Sequence, residues 1–511
     1  MQCGFAFLEA GAVRSKNCTN ILLKNLVESL IVAVGYWGVG WGLAYGPNPQ
    51  GQAWLIGGSE FFMSKERDIA DFFFQYVFAA TASTIISGAV AERVGFWSYI
   101  VYSVTISCII YPVLTATAST IISGAVAERV GFWSYIVYSV TISCLIYPVL
   151  THWGWSVDGW MKQGVLFGTE HVGYVDFAGA GMVHLSAGTL GLLAAWIIGP
   201  RIGRFAPKGS GQKDAEIKGH SVPFAALGGF LLMFGFLAFN GGSTRMISAK
   251  GMGQISAKAM VNSILCCAWA ALVFMVIHHF RKGKWSLLLT INASLSGMAA
   301  ATAGCNQFYP WAASVVGIGA SIAYMLLYEL TIKLRIDDPL DVFAVHFGAG
   351  FWGLISVCII GEKGIFYGFL YEDVSLKHAF IQLGWQMICA TAIILWSAVC
   401  GLIMFIGLKK LGVLRVSSEV ELKGLDIKNH GEAAYPLSAY GHGWNENETN
   451  EKKDTQIRLR TVYKKSDPIS IVSSIQHDVI HESEHEGQNG HSKHFVEVNL
   501  KNGTKEVEDK F

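Results

Sequence analysis

The sequence predicts an all-α polytopic membrane protein. Apolar runs of about 20 residues, long enough to cross a bilayer as helices, recur through most of the chain. Hydrophobic residues make up 52% of the 511 residues and charged residues only 15%, which is not the balance of a set of soluble domains. The runs do not alternate apolar and polar residues as barrel strands do, and the net charge of +1 indicates no nucleic-acid partner.

The first part of the chain predicts two spans. Residues 1–13 are apolar but cover only about 18 Å as a helix, so we expect a truncated first helix whose upstream half is missing. A short basic loop, 14–17, separates it from the next span, 20–45. Charged residues between 60 and 71 then keep the chain in water before the apolar sequence resumes.

A tandem repeat follows. Residues 80–115 and 116–151 are two copies of 36 residues that differ only at Ile109 and Leu145. Evolved repeat architectures share this period but not this identity. The apolar stretch between the two Glu-Arg loops is about 48 Å long as a helix, too long for one span and short for two. We therefore expect one copy to be structurally superfluous.

The later spans are, in order, 175–199, 222–240, 257–279, 287–303, 311–332, 342–360 and 383–408. With one repeat copy set aside the chain has 11 spans, an odd number that puts the termini on opposite sides. Lysine and arginine cluster in the loops that follow alternate spans, and the positive-inside rule makes these loops cytoplasmic. The amino terminus is therefore expected outside.

Residues 1–415 are thus the predicted transmembrane domain. From about residue 416 the composition becomes charged and polar, and residues 437–511 are expected to be a disordered cytoplasmic tail. The tail histidines lack cysteines or a fixed spacing, and the ten cysteines of the chain show no metal-ligand spacing. The sequence predicts no metal and no cofactor.

Two similar segments each carry one histidine inside an apolar, Gly/Ala-rich run. The first contains Asp176 and His184, and the second contains Asp341 and His346. A histidine inside a span indicates a functional site, although a single one can also be satisfied by a neighbouring carbonyl. Small residues let helices approach closely, so we expect the two imidazoles to meet within the membrane. Asp341, with Asp337 and Asp338, is expected only to start a cytoplasmic helix.

Several further strings complete a pattern. They are 4–11 (GFAFLEAG), 13–17 (VRSKN), 91–93 (AER), 152–160 (HWGWSVDGW), 176–179 (DFAG), 199–203 (GPRIG), 239–243 (FNGGS) and 341–346 (DVFAVH). With these strings in this order, residues 1–436 resemble the ammonium transporter family (Amt/Mep/Rh), and its Amt branch most. The resemblance implies an 11-span fold with two inverted five-helix halves, a homotrimer in the plasma membrane, and a regulatory segment at 416–436 that contacts a neighbouring subunit.

The resemblance also implies roles for individual residues. Ammonium would be recruited at an outer vestibule made by Trp155, Phe78 and Ser243, with the charge of Asp176 favouring a cation. A gate below it would contain Phe78, Phe239 and Phe74, and the pore would contain His184 and His346. Aromatic faces attract a desolvating cation, and neighbouring imidazoles can pass a proton as a coupled pair.

Two other classes of function stay open. The long tail would suit an ammonium sensor that signals through it and conducts little. A membrane enzyme with a metal on the histidine pair is disfavoured, because no third ligand has a usable spacing. On its residues alone, Trp155 also fits an interfacial belt, and the phenylalanines fit plain core packing.

Overall fold

The computed structural model describes a mostly helical protein in two units, Met1–Tyr440 and Gly441–Phe511. The described residues are 2–19, 21–22, 41–46, 57–59, 125–126, 128–130, 134, 137–138, 141–142, 146–427 except 208, 246 and 373, 431–436, 440, 482–485 and 493–496. The first repeat copy, Phe74 and Phe78 therefore lie outside them, and the expectation that one copy is superfluous stays a prediction.

The helices of the described residues are α1 Gln2–Ala12, α2 Trp41–Tyr45, α3 Tyr147–Trp155, α4 Trp160–Gln163, α5 Ser186–Ile198, α6 Val222–Gly242, α7 Met252–Lys282, α8 Leu287–Ala301, α9 Pro310–Lys333, α10 Ala349–Ile360, α11 Ile365–Leu370, α12 Leu376–Lys410 and α13 Ser418–Lys423. A π-helical turn precedes α5 at Ala180–Leu185, and another precedes α10 at Phe343–Gly348. A 3-10 turn at Ser15–Asn17 follows α1. Strands β1 Val165–Phe167 and β2 Glu170–Val172 form a small antiparallel hairpin.

Six helical segments of the described chain are long and apolar enough to cross a membrane. They are Ala180–Ile198, Val222–Gly242, Met252–Lys282, Pro310–Lys333, Phe343–Leu370 and Leu376–Lys410. Leu287–Ala301 is a shorter apolar helix in the same layer, and it packs against α7 and α9. Helix α1 packs along α6, and α5 packs on α12, so one continuous buried core joins the spans.

Segment 175–179 is not helical, although the sequence predicts a span beginning at 175. The amide of Phe177 donates to the carbonyl of Ala303 at 3.1 Å, and that of Ala178 to Thr302 at 2.8 Å. Gln386 on α12 accepts from the amide of Val175 and donates to its carbonyl. These tertiary hydrogen bonds satisfy the backbone in place of a helical turn.

The segment after α12 packs on the amino-terminal loop of the same chain. Lys16 donates to the carbonyl of Leu422, and the amide of Leu425 donates to Asn17 at 3.0 Å. The carboxylate of Asp426 accepts from the amide of Thr19 at 3.2 Å. The segment expected at 416–436 therefore contacts its own subunit.

In the second unit the structure describes two short strands, β3 Glu482–His485 and β4 Lys493–Val496, paired antiparallel. The expectation of a disordered tail at 437–511 stays a prediction.

Candidate functional site

His184 and His346 lie face to face in the core. Their Nδ1 atoms are 3.1 Å apart, and their rings are nearly parallel, 13° apart, with centroids separated by 5.2 Å. His184 is fully buried and His346 is 8% exposed. The structure thus brings together the two histidines that the sequence singles out, as expected.

Both histidines sit in π-helical turns at the start of their helices. The turn Ala180–Leu185 carries His184, and the turn Phe343–Gly348 carries His346. π-helical turns are rare and are frequently found at functional sites. The apolar pattern of the sequence does not predict these turns.

Asp176 caps the first turn. Its Oδ1 accepts from the amides of Gly179 and Ala180 at 2.8 and 2.7 Å. Its Oδ2 accepts from the amides of Gly181 and Met182 at 2.9 and 3.1 Å, and from the hydroxyl of Tyr174 at 3.1 Å. Burial raises the pKa of Asp176, and the four amide donors oppose that rise. Asp176 therefore caps the turn that carries His184.

The second turn also has an aspartate that accepts from a backbone amide of the turn, but it is not the aspartate that the sequence suggests. Asp338 stands eight positions before His346, as Asp176 stands before His184, and its Oδ2 accepts from the amide of Phe343 at 2.9 Å. Asp341 instead has a positive φ of 55° and accepts from Asn292 and Tyr324 at 3.0 and 2.9 Å. Its counterpart five positions before His184 is Gly179, with φ 102°.

The two histidine segments run antiparallel and touch through glycines. A Cβ on Gly188 would lie 2.3 Å from the amide nitrogen of Phe347, and one on Gly350 would lie 2.5 Å from the carbonyl oxygen of Ala180. Each glycine stands four positions after its histidine. Only residues without a side chain permit this approach, as expected from the small-residue pattern.

An aromatic wall covers one side of the pair. The ring of His184 lies 5.7 Å from Phe236 and 6.4 Å from Phe239. Ser243 donates from its hydroxyl to the carbonyl of Phe239 at 2.8 Å. The sequence reasoning missed Phe236, although its spacing of three from Phe239 places both on one face of α6.

Trp155 ends α3 next to the first histidine segment. Its indole Nε1 donates to the carbonyl of Asp176 at 2.8 Å, and its ring meets Tyr147 edge-on at 6.5 Å. The structure therefore links Trp155 with Asp176, and Phe239 with Ser243 and His184. Gate residues Phe74 and Phe78 lie outside the described part of the chain.

Buried charged side chains lie at the far end of the histidine pair. The sequence predicts only a helix start there, at Asp337, Asp338 and Asp341. Arg201, just after α5, donates from Nε to Oδ2 of Asp337 at 2.8 Å and from Nη2 to Oδ1 at 3.0 Å. Burial alone would raise the pKa of Asp337, but the guanidinium groups of Arg129 and Arg201 hold it below its usual range. Burial raises the pKa of Asp338 to about 6 and, with the Asp338 charge, that of Asp341 to about 7.

These observations define the class of the protein: a multi-span helical membrane protein whose polar centre is a histidine pair between two antiparallel segments. Among the described residues no group of three His, Cys, Asp or Glu side chains could hold a metal ion.

The chain belongs to the ammonium transporter family, whose model matches residues 1–116 and 113–435. A Caenorhabditis elegans protein provisionally named ammonium transporter 1 is 54% identical over 460 residues, covering 88% of this chain and 79% of the relative. Ammonium transporter Amt2 of Archaeoglobus fulgidus is 34% identical over 447 residues, covering 85% of each.

Solved structures agree with this assignment. A structure described as a Sensor Amt Protein is 30% identical with a TM-score of 0.67, covering 84% of this chain and 94% of its own. Mep2 of Saccharomyces cerevisiae has the same fold at 24% identity, with a TM-score of 0.62 and coverage of 82% and 84%. The protein is thus a multi-pass membrane protein of a transporter family.

Proposed function

We propose that this protein moves ammonium across the plasma membrane, stripping a proton from the ion and conducting ammonia past His184 and His346, with or without that proton. The observation that carries the proposal is the 3.1 Å approach of two buried imidazole nitrogens between antiparallel segments. Relatives named as ammonium transporters support the choice of substrate.

Recruitment is assigned to Trp155, Phe78 and Ser243, and the charge of Asp176 favours a cation there. An indole face attracts a desolvating cation by about 0.5–2 kcal/mol, and a serine hydroxyl accepts an N–H. Asp176 has both oxygens engaged by amides and Tyr174, so it acts through its charge and its cap rather than as a direct ligand. Trp155 is held against it by the indole hydrogen bond.

The gate is assigned to Phe78, Phe239 and Phe74. Phe239 is 4% exposed and lies next to His184, so a molecule that passes its ring meets the histidine pair directly. A bare cation in such an apolar passage carries a solvation cost of tens of kcal/mol in the idealised limit, which favours loss of a proton.

The histidine pair can then handle one proton at a time. When both rings are neutral, a hydrogen bond between the two Nδ1 atoms needs one donor and one acceptor. The donating ring then has a bare Nε2, which can accept a proton or an N–H, and the accepting ring has an Nε2–H, which can donate to ammonia. His184 Nε2 has no hydrogen-bond partner among the described residues, so it is available for this exchange. Potassium has no proton to lose, so the same pair favours ammonium over potassium.

Replacement of each histidine by alanine tests this mechanism. Methylammonium uptake per molecule at the cell surface should fall, and its pH dependence should change, in His184→Ala and His346→Ala. His171→Ala is the matched control, since His171 is exposed on β2. Uptake and pH profile that are untouched in both core variants would contradict the proton-handling role.

The finer architecture belongs to the same proposal. We infer eleven spans in two inverted five-helix halves, a homotrimer, an outer amino terminus and a cytoplasmic tail, with the domains dividing at 415/416 and 436/437. The antiparallel histidine segments and their repeated Asp–His spacing support the inversion. Accessibility of single cysteines placed in each loop, read from both sides of the membrane, and the mass of the purified complex test these points.

A sensor is the second candidate, favoured by the likeness to the Sensor Amt Protein and by residues 437–511. Truncation after Tyr435 separates the two. A transporter keeps its methylammonium flux without the tail, whereas a sensor loses its output while its small flux is unchanged.

A further inference from the structure

The loop of the second repeat copy is buried in a charge cluster at the far end of the histidine pair. The cluster consists of Arg14, Glu128, Arg129, Arg201 and Asp337. Oε2 of Glu128 lies 2.7 Å from Arg14 and 3.5 Å from Arg201, and Arg129 lies 3.5 Å from Asp337. Glu128 is 1% exposed and Arg129 is fully buried. Buried charges persist only where paired in this way.

Arg129 joins the ends of both histidine segments. Its guanidinium donates to the carbonyl of Gly199, where α5 ends, and to the carbonyl of Asp337, which precedes the His346 turn. It also donates to the carbonyl of Ala125 at 3.0 Å. Burial lowers its pKa to about 10, so it remains charged at neutral pH. One side chain thus bonds to the end of α5 and to the residue range that precedes the His346 turn.

The backbone around Arg129 is embedded as well. Val130 pairs with Arg415 as an isolated β-bridge, and the amide of Val416 donates to the carbonyl of Arg129 at 3.2 Å. Ser134 donates to the carbonyl of Val413 at 2.6 Å. The loop is therefore bonded through its backbone to the segment that follows α12.

The sequence of this loop occurs twice in the chain. Glu92-Arg93-Val94 in the first copy repeats as Glu128-Arg129-Val130 in the second. The second loop stands 25 residues before Trp155, about 38 Å as a helix and enough for a single crossing. The first stands 61 residues before it. The two copies have the same loop sequence, so the short connection to α3 is what favours the second copy as the source of the buried loop.

We propose that Arg129 is the positioning residue that holds the two histidine segments in register, and that Arg93 does not substitute for it. The two copies of the repeat therefore have different roles, because the copy joined to α3 supplies the buried loop. This inference stands on the cluster geometry and does not depend on which ion the pore carries.

Point variants can show which copy supplies the buried loop. Deletion of one copy cannot, because the two deletion products differ only at one Ile/Leu position. The matched pair is Arg129→Ala and Arg93→Ala, compared by melting temperature of the purified full chain and by methylammonium uptake per surface molecule. Arg129→Ala should lower uptake by about tenfold or more, since it leaves Asp337 buried with a partner lost. Arg93→Ala should stay within about twofold of the parent.

Arg129→Lys provides a second test of the role of Arg129 if the alanine variant does not fold. Lysine retains the charge opposite Asp337 but cannot reach Gly199 and Asp337 together as a guanidinium does. It should keep surface expression while lowering the maximal uptake rate and displacing the pH profile, which a purely structural role would leave in place.

Equal losses of uptake in Arg129→Ala and Arg93→Ala would contradict the assignment to the second copy, and so would a loss in Arg93→Ala alone. The assignment would also be wrong if each single variant were neutral and the double variant were defective. If the parent chain carries no methylammonium, the melting temperatures still decide. A lower melting temperature in Arg129→Ala but not in Arg93→Ala would then support the role of Arg129, although the proposed transport function would have failed.

Discussion

Asp176→Asn should destabilise the protein by removing half of the cap of the His184 turn. Asparagine keeps the shape and one acceptor oxygen but replaces the other oxygen with an NH₂ donor. If the oxygen remains at Oδ1, the amides of Gly181 and Met182 and the hydroxyl of Tyr174 lose their acceptor. The hydroxyl can rotate away from the new donor, whereas the two buried amides cannot.

Each buried donor left without an acceptor costs about 1–3 kcal/mol, so the two amides together cost roughly 2–6 kcal/mol. Net stabilities of folded proteins are about 5–15 kcal/mol, so this is a large fraction. The assay is thermal unfolding of the detergent-solubilised chain, followed by the amount of folded protein that survives heating. Asp158→Asn is the control, because Asp158 is exposed. A melting temperature of Asp176→Asn equal to that of the control would refute the assignment of the cap.

Two further predictions concern the close approach of the two histidine segments and the ionisation of Asp341. Gly188→Ala places a Cβ against the backbone nitrogen of Phe347, so the Nδ1–Nδ1 distance must lengthen and uptake per surface molecule should be lost. Gly384→Ala, with nothing within 4 Å, should be silent. Burial raises the pKa of Asp341 from 3.8 to about 7, so the folded state binds the proton more tightly. Its stabilisation is complete below about pH 4 and is lost as the pH rises through about 7. Asp341→Asn should therefore flatten the fall in melting temperature between about pH 4 and 7, and an unchanged slope would contradict this.

The spans were predictable because the thickness of the hydrocarbon sets their length. The sequence predicts 222–240 and 311–332, and the structure has Val222–Gly242 and Pro310–Lys333. It predicts 257–279 and 383–408 where the helices begin earlier, at Met252 and Leu376. Hydropathy marks the part of a helix that needs lipid, and a helix can continue with polar residues beyond it.

The site was predictable in its residues but not in its local geometry. The histidines stand out because an imidazole in an apolar run is costly. The exchange of roles between Asp338 and Asp341 could not be read from composition, since both precede the same helix. Spacing carried the missing signal: an aspartate eight positions before each histidine is present in the sequence, but only the backbone contacts show what that interval means.

The burial of Arg201 was also beyond the sequence. Under the positive-inside rule its loop is one of several basic loops, and nothing local distinguishes it from exposed lysines and arginines. The distinction comes from Asp337, which is 136 positions away along the chain and bonds it at 2.8 Å. Pairings over such separations depend on how the spans assemble, which the order of spans alone does not fix.

Lipid tails are as apolar as the helices they surround, so hydrophobicity does not decide which segments pair in a membrane. Two other forces can: close contact and the need to satisfy polar groups. The histidine segments use both, through Gly188 and Gly350 along their length and through Asp176 and Arg129 at their ends. Because these contacts bracket the two imidazoles, their 3.1 Å separation depends on residues at both ends of the pair as well as on the two histidines.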